Sequence, residues 1–197
     1  MTGSLGVCLW DADSLKVHLS SAPYGPFRTQ DQLVDNDLNV WLTSEKGIYL
    51  FDRSTERLKP FVENISVAGI VQLYNNDIWC SDAKGGIFHF IPSERKVSKV
   101  DLGEIANETF IKQLRIDKHG IVWGTSNKGL FRIDPTTKKS ILITKSDGLL
   151  SNLLTDITID NDRVLVSSSK GVSFMNINEV FTSTTCLLYT SPSPRDD

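Results

Sequence analysis

The sequence predicts an all-β protein, a partial β-propeller of about four and a half four-stranded antiparallel blades in an open arc. A glycine recurs at spacings of 41, 39, 43 and 42 residues, at Gly6, Gly47, Gly86, Gly129 and Gly171. Each of these glycines begins a short run of alternating apolar residues. An apolar pair precedes the last four, at Val40-Trp41, Ile78-Trp79, Val122-Trp123 and Val164-Leu165. Because no segment shows a sustained helical period, a repeat of this length is typical of propeller blades.

The unit that ends at Thr144 shows the four strands of one blade most clearly. Its predicted strands cover residues 110–116, 121–125, 130–133 and 140–144. The first strand alternates apolar and polar residues, as a half-buried strand does. Gly120 and Gly129 close the first two turns, and Pro135 ends the third strand because proline has no N–H for the ladder. The same pattern fits residues 32–61, 71–100 and 156–176, with turns at 35–37, 75–77 and 160–162.

The chain divides into three predicted parts. Residues 1–20 form a partial first blade, since Gly6 has no complete strand before it, residues 21–180 form four blades, and residues 181–197 lie outside the propeller. Back-translated, residues 186–196 are similar to one reading frame of the transposase adapter used in sequencing-library preparation. We therefore expect a translated adapter there and a truncated fragment before it; the alternative is a Pro/Ser-rich linker.

Composition argues against several classes of function. The chain has 21 basic and 24 acidic side chains and no basic stripe, which argues against binding to nucleic acid. It has no apolar run long enough for a membrane span, so we expect no direct insertion into a membrane. No phosphate loop, nucleophile elbow or pair of catalytic carboxylates is present, so no catalytic residue and no cofactor is predicted.

Metal binding is not predicted either. Four aspartates lie near turns, but they lack the spacing of a calcium loop with its distal glutamate: Asp117, Asp156, Asp160 and Asp162. The three tryptophans at the repeat position, Trp41, Trp79 and Trp123, are predicted to pack between blades, with ligand stacking as the alternative.

One polar feature repeats from blade to blade. A lysine precedes four of the repeat glycines, at Lys46, Lys84, Lys128 and Lys170. In a propeller these turns lie on one end of the disc, so four ammonium groups there are a candidate site for an acidic sugar or a protein partner. The alternative is that Lys-Gly simply makes a soluble hairpin turn.

Three segments carry a family resemblance. Residues 147–160 contain Asp147-Gly148-Leu149 and an apolar strand that ends in Asp160, and residues 121–125 and 129–135 read IVWGT and GLFRIDP. This pattern resembles the two-component regulator propeller repeat. The sequence departs from that repeat where the glycine after tryptophan is missing, at Leu42 and Cys80, and where Leu165 replaces the tryptophan.

The resemblance implies a function for the parent protein. In that family the propeller is the periplasmic sensor region of hybrid histidine kinases, and many members respond to oligosaccharides. It implies an oligosaccharide ligand, contacts with the remaining blades and with downstream domains, and a homodimeric parent. The kinase domains would lie outside this chain, which itself would not be an enzyme. The alternatives are a propeller that serves as a protein-interaction scaffold and, as an enzyme, a propeller lyase.

Overall fold

The computed structural model describes the backbone of residues 2–3, 6–11, 16–20, 28–55, 57–82, 84–101, 109–177 and 189–192. Side chains are described within 28–177 of this set. In these parts of the chain every strand pairing is antiparallel, and the only helices are 3-10 turns at Pro92–Glu94 and Lys145–Asp147. Among the described residues, no helix is both long and apolar enough to cross a membrane. The all-β prediction is confirmed.

The strands form one three-stranded sheet and four four-stranded sheets, which we call blades 1 to 4. The first sheet contains β1 (Thr2–Gly3), β2 (Gly6–Asp11) and β3 (Lys16–Ser20). Blade 1 contains β4 (Thr29–Val34), β5 (Val40–Ser44), β6 (Gly47–Asp52) and β7 (Arg57–Glu63). Blade 2 contains β8 (Val67–Gln72), β9 (Ile78–Asp82), β10 (Ile87–Ile91) and β11 (Lys96–Val100).

The last two blades repeat this arrangement. Blade 3 contains β12 (Ile111–Ile116), β13 (Val122–Ser126), β14 (Leu130–Ile133) and β15 (Ser140–Ile143). Blade 4 contains β16 (Leu154–Asp160), β17 (Arg163–Ser168), β18 (Gly171–Asn176) and β19 (Tyr189–Pro192). In every blade each strand pairs with the next one along the chain. The four strands predicted for blade 3 agree with the structure to within one or two residues.

The first strands of the blades lie beside one another. β4 contacts β8, β8 contacts β12, and β12 contacts β16, as the inner strands of a propeller do. Each of these four strands has a β-bulge near its start, where its register against the second strand shifts. A bulge bends and twists its strand, which turns the residue at the bulge toward the next blade.

The core lies between the blades. Trp41 is 2% exposed and packs in a cluster with Ile70, Ile78 and Phe90 of blade 2, and the Trp41 and Phe90 rings meet edge to face at 5.2 Å. Trp79 lies in the same way against blade 3, and Trp123, fully buried, against blade 4. The prediction that the three tryptophans pack between blades is therefore confirmed.

One strand, β19, lies within the segment that the sequence analysis placed outside the propeller. Residues 181–197 were expected outside the blades, but β19 pairs with β18, with Phe174 opposite Tyr189 and Gly171 opposite Pro192. The physical reason is that β18 has an open edge of unpaired N–H and C=O groups, which accepts another strand. The rest of the tail, and with it most of the adapter-like segment, lies outside the described residues. Residues 2–3, 6–11 and 16–20 form the three-stranded sheet, in which Gly6 begins β2 as Gly47 begins β6.

Candidate functional site

The four lysines of the candidate site lie in turns between the second and third strands of successive blades. The turn is built by a polar side chain at the end of the second strand, which accepts the lysine N–H. Ser44 Oγ accepts it from Lys46 at 3.0 Å, and Ser126 Oγ from Lys128 at 3.0 Å. Ser168 takes this role in blade 4, and the carboxylate of Asp82 does so in blade 2. The lysine backbone is therefore fixed, whereas its side chain is exposed.

The glycine after the lysine is required by the fourth strand. Gly47 has φ 149°, and a Cβ there would lie 2.0 Å from the carbonyl oxygen of Val62. Gly129 has φ 142°, and its Cβ would lie 2.2 Å from the carbonyl oxygen of Ile143. No other residue fits in either place without moving the outer strand. In blades 1 and 3 the recurring glycine thus has a steric origin, whereas a Cβ at Gly86 of blade 2 would have its nearest neighbour at 3.5 Å.

The structure brings two of the four lysines to one cavity. Lys46 and Lys84 line a cavity of about 690 Å³ between blades 1 and 2. Three carboxylates, those of Glu45, Glu63 and Asp82, line it as well. The local charge is therefore mixed, which suits a ligand with donors and acceptors better than a purely anionic one. Lys128 and Lys170 are exposed at the same end of their own blades and do not line this cavity.

A hydrogen bond between a tryptophan and an aspartate recurs at the other end of the blades, and the sequence analysis missed it. In blade 1, Asp35 accepts a hydrogen bond from Trp41 Nε1 at 2.7 Å, and in blade 3, Asp117 accepts one from Trp123 Nε1 at 2.8 Å. Each aspartate also accepts backbone N–H groups of its own turn, such as that of Asn39 at 2.8 Å. The sequence signal was an aspartate six residues before the tryptophan.

These aspartates act as structural acceptors. Asp117, one of the residues considered for calcium, is 1% exposed. Its carboxylate accepts hydrogen bonds from Trp123 Nε1 and from the backbone N–H groups of His119 and Ile121. Burial on its own would raise the pKa of Asp35, but the hydrogen bonds from Trp41, Asn39 and Asp37 outweigh it and lower that pKa below its ordinary value. In the parts of the chain that the structure describes, no three His, Cys, Asp or Glu side chains are grouped so that they could hold a metal ion.

The bulge residues of the inner strands connect neighbouring blades. Asp31 Oδ2 accepts the N–H of Ile70 in blade 2 at 3.2 Å, and Gln113 Oε1 accepts the N–H of Ile157 in blade 4 at 3.2 Å. Blade 2 has Gly69 at this position, where a Cβ would lie 3.0 Å from the Leu114 nitrogen, so blades 2 and 3 approach through their backbones. The residue at this position therefore decides whether two inner strands are joined by a side-chain hydrogen bond or by close contact of their backbones.

Asp31 also reaches across the inner strands to blade 3. Arg115 Nη1 lies 3.3 Å from Asp31 Oδ2, although 84 residues separate the two in the chain. The Asp31 side chain is only 8% exposed, and burial raises its pKa although Arg115 and two backbone N–H groups oppose the shift. The pair joins blades 1 and 3 across the inner strand of blade 2.

No family model and no curated protein matches the sequence. Solved structures do match its fold. The extracellular domain of the putative hybrid two component system BT3049 from B. thetaiotaomicron has a TM-score of 0.77 and 18% identity, over 95% of this chain and 26% of that one. The corresponding domain of BT4673 from the same organism has a TM-score of 0.77 and 17% identity, over 97% of this chain and 29% of that one.

An enzyme has a similar fold. Virginiamycin B lyase from Staphylococcus aureus has a TM-score of 0.76 and 15% identity, over 97% of this chain and 64% of the enzyme. This chain thus spans between a quarter and a third of the two extracellular domains from B. thetaiotaomicron. At such identities the likeness concerns the fold, and together with the four meandering blades it shows that the described part of this chain is built as a propeller.

Proposed function

We propose that this chain is part of the ligand-sensing propeller of a hybrid two-component sensor, and that an oligosaccharide is the ligand. The observation that carries the proposal is the likeness to two extracellular domains of putative hybrid two component systems, over nearly the whole chain. The Asp147-Gly148-Leu149 turn and the IVWGT strand of the sensor repeat support it from the sequence. The proposed location is extracytoplasmic, and the proposed parent is a homodimer.

The proposed mechanism needs no chemistry in the blades. Inter-blade hydrogen bonds such as that of Gln113 with Ile157, and the link between Asp31 and Arg115, favour blades that move as one body. A ligand bound between two blades would then shift the equilibrium between two arrangements of domains in the dimer. The cavity with Lys46 and Lys84 is the proposed ligand site, because it brings two cations and three carboxylates together in a concave surface.

A signalling assay on the full-length protein tests this proposal. Cells that express it are given purified plant and host oligosaccharides, and transcription from the regulated promoter is measured. One saccharide should activate transcription, and the double variant Lys46→Ala/Lys84→Ala should lose most of the response. Lys96→Ala, which removes an exposed lysine from the outer strand of blade 2, is the control and should respond normally.

The other functions give different results. A protein-interaction scaffold would bind a protein partner and show no saccharide response. A lyase would turn over a substrate in the absence of any kinase domain. Either result, or a normal saccharide response of the double-lysine variant, would contradict the proposed role of this site.

A further inference from the structure

Blade 4 has a face that repeats, position by position, the faces with which blades 1, 2 and 3 contact the next blade. The apolar residue after the repeat glycine shows this most clearly. Ile48, Ile87 and Leu130 are each 0% exposed, because they pack in clusters with residues of blades 2, 3 and 4. Val172 occupies the same position in blade 4 and is 39% exposed. An apolar interface position is therefore left open in this blade.

The second strand of blade 4 leads to the same conclusion. Leu165 occupies the tryptophan position and is partly exposed, whereas the three tryptophans of the other blades are at most 4% exposed. Ser167, two residues further along the strand, is partly exposed as well. The residues at its position in blades 1 to 3 are all 0% exposed: Thr43, Ser81 and Thr125. The next blade buries these positions in blades 1 to 3, and in blade 4 they are accessible.

The bulge residue of β16 adds a polar group to this face. Asp156 Oδ1 accepts the N–H of Ile157, the next residue, at 2.8 Å. In blade 1, Asp31 Oδ1 likewise accepts the N–H of Gln32 at 3.0 Å, and its Oδ2 accepts the N–H of Ile70 in blade 2. Asp156 is exposed, and its Oδ2 accepts no hydrogen bond from a described residue. This oxygen is therefore available to an N–H from outside blade 4.

The three interfaces within the chain show what such a face binds. In each of them the next blade contributes its first strand. That strand has two buried apolar residues three positions apart: Val67 and Ile70, Ile111 and Leu114, or Leu154 and Ile157. Both lie in one cluster with the tryptophan and the residue after the repeat glycine of the preceding blade. The face of blade 4 therefore fits a strand with an apolar residue and, three positions later, an isoleucine or leucine.

The first strands of blades 1 to 4 in a second copy of the chain do not fit. β8, β12 and β16 already lie against the preceding blade. β4 has Thr29 and Gln32 at the two positions that are apolar in the other first strands. The occupant that remains is a further blade of the same repeat.

We propose that Asp156, Leu165, Ser167 and Val172 form a docking face for the first strand of such a blade, which binds as blade 2 binds to blade 1. Leu165 and Val172 pack on the two apolar residues of that strand, and Asp156 Oδ2 accepts the N–H of the second one. Apolar burial supplies the affinity, and the hydrogen bond fixes the register, because a shift by one residue would present the other side of the strand. The inference rests on the proposal that the chain is part of a longer protein, but not on the sensing role.

Photo-cross-linking in the full-length protein tests the docking face. Benzoylphenylalanine is introduced in place of Val172, and the cross-linked peptides are identified by mass spectrometry. They should come from outside residues 1–197 and contain an apolar residue followed, three positions later, by isoleucine or leucine. The same group in place of Val34, which is 57% exposed at the end of β4, is the control and should give no cross-link to that strand.

Val172→Lys gives an independent measurement. In the full-length protein it should speed hydrogen exchange in β16 to β18 by at least about tenfold, because a charged side chain cannot be buried against an apolar strand. In the 197-residue chain it should leave the urea midpoint nearly unchanged, since Val172 is accessible there. Val34→Lys is the matched control and should leave exchange in blade 4 unchanged.

Four results would overturn the proposal. They are no cross-link from position 172, a cross-link to a second copy or to a strand without the apolar pattern, unchanged exchange in full-length Val172→Lys, and a large loss of stability in the 197-residue Val172→Lys chain. The last result would place Val172 in the core of this chain itself. None of these results depends on a saccharide response, so they are separate from the test of the proposed function.

Discussion

Replacement of Asp117 by alanine should strongly destabilise the protein. The substitution removes the acceptor of Trp123 Nε1, which is fully buried, and of the N–H of Ile121, which is 8% exposed. The N–H of His119 also loses its partner, but His119 is exposed, and water can replace the carboxylate there. Each buried donor left unpaired costs about 1–3 kcal/mol, and relief from burying the carboxylate offsets part of this. We expect a net loss of about 3 kcal/mol in the free energy of unfolding.

Urea unfolding followed by far-ultraviolet circular dichroism measures this loss. Asp160→Ala is the matched control, because Asp160 is exposed and begins the corresponding turn of blade 4. That blade has Leu165 at the tryptophan position, so there is no indole N–H that needs an acceptor. It should cost less than about 0.5 kcal/mol. A double-mutant cycle with Trp123→Phe isolates the bond itself, since that variant removes the indole N–H. Equal losses for Asp117→Ala and Asp160→Ala, or no coupling between Asp117 and Trp123, would refute the argument.

Three further predictions follow from the same geometry. The pKa of Asp35 is lower in the folded protein than its ordinary value of 3.8, so the unfolded chain binds the proton more readily at acid pH. Stability should therefore fall as the pH drops from about 5 toward 2. In Asp35→Asn, the midpoint of urea unfolding should fall less steeply over this pH range than in the wild type. An unchanged slope of midpoint against pH would exclude this carboxylate as the cause. Gly129→Ala should lower the free energy of unfolding by more than about 2 kcal/mol, because its Cβ would lie 2.2 Å from Ile143 O. Gly86→Ala should lower it by less in the same assay, because the nearest neighbour of its Cβ would lie 3.5 Å away. The backbone-clash argument fails if the two losses are equal. Gln113→Ala should lower the free energy of unfolding by about 1 kcal/mol, because it removes the acceptor of the Ile157 N–H. Hydrogen exchange at Ile157 should become faster, while the N–H of Ile70, which Asp31 accepts, serves as the unaffected reference. Equal protection of Ile157 in both proteins would contradict the inter-blade bond.

Much of the fold could be predicted because its pattern is local. The strand boundaries of blade 3 follow from alternation of apolar and polar residues, and its turns from Gly120, Gly129 and Pro135. The buried tryptophans followed from their fixed place in the repeat. The candidate site was predicted less well. The sequence places the four lysines at equivalent turns, but only Lys46 and Lys84 line a common cavity, and acidic side chains of two blades line it with them.

The sequence by itself determined the repeat, the recurrence of its glycine and the strands within each blade, because these depend on residues close together in the chain. The tertiary structure alone decided which residues of different blades meet. Asp31 lies with Arg115, and β19 completes blade 4, because bulges and open strand edges bring together groups that are distant in sequence.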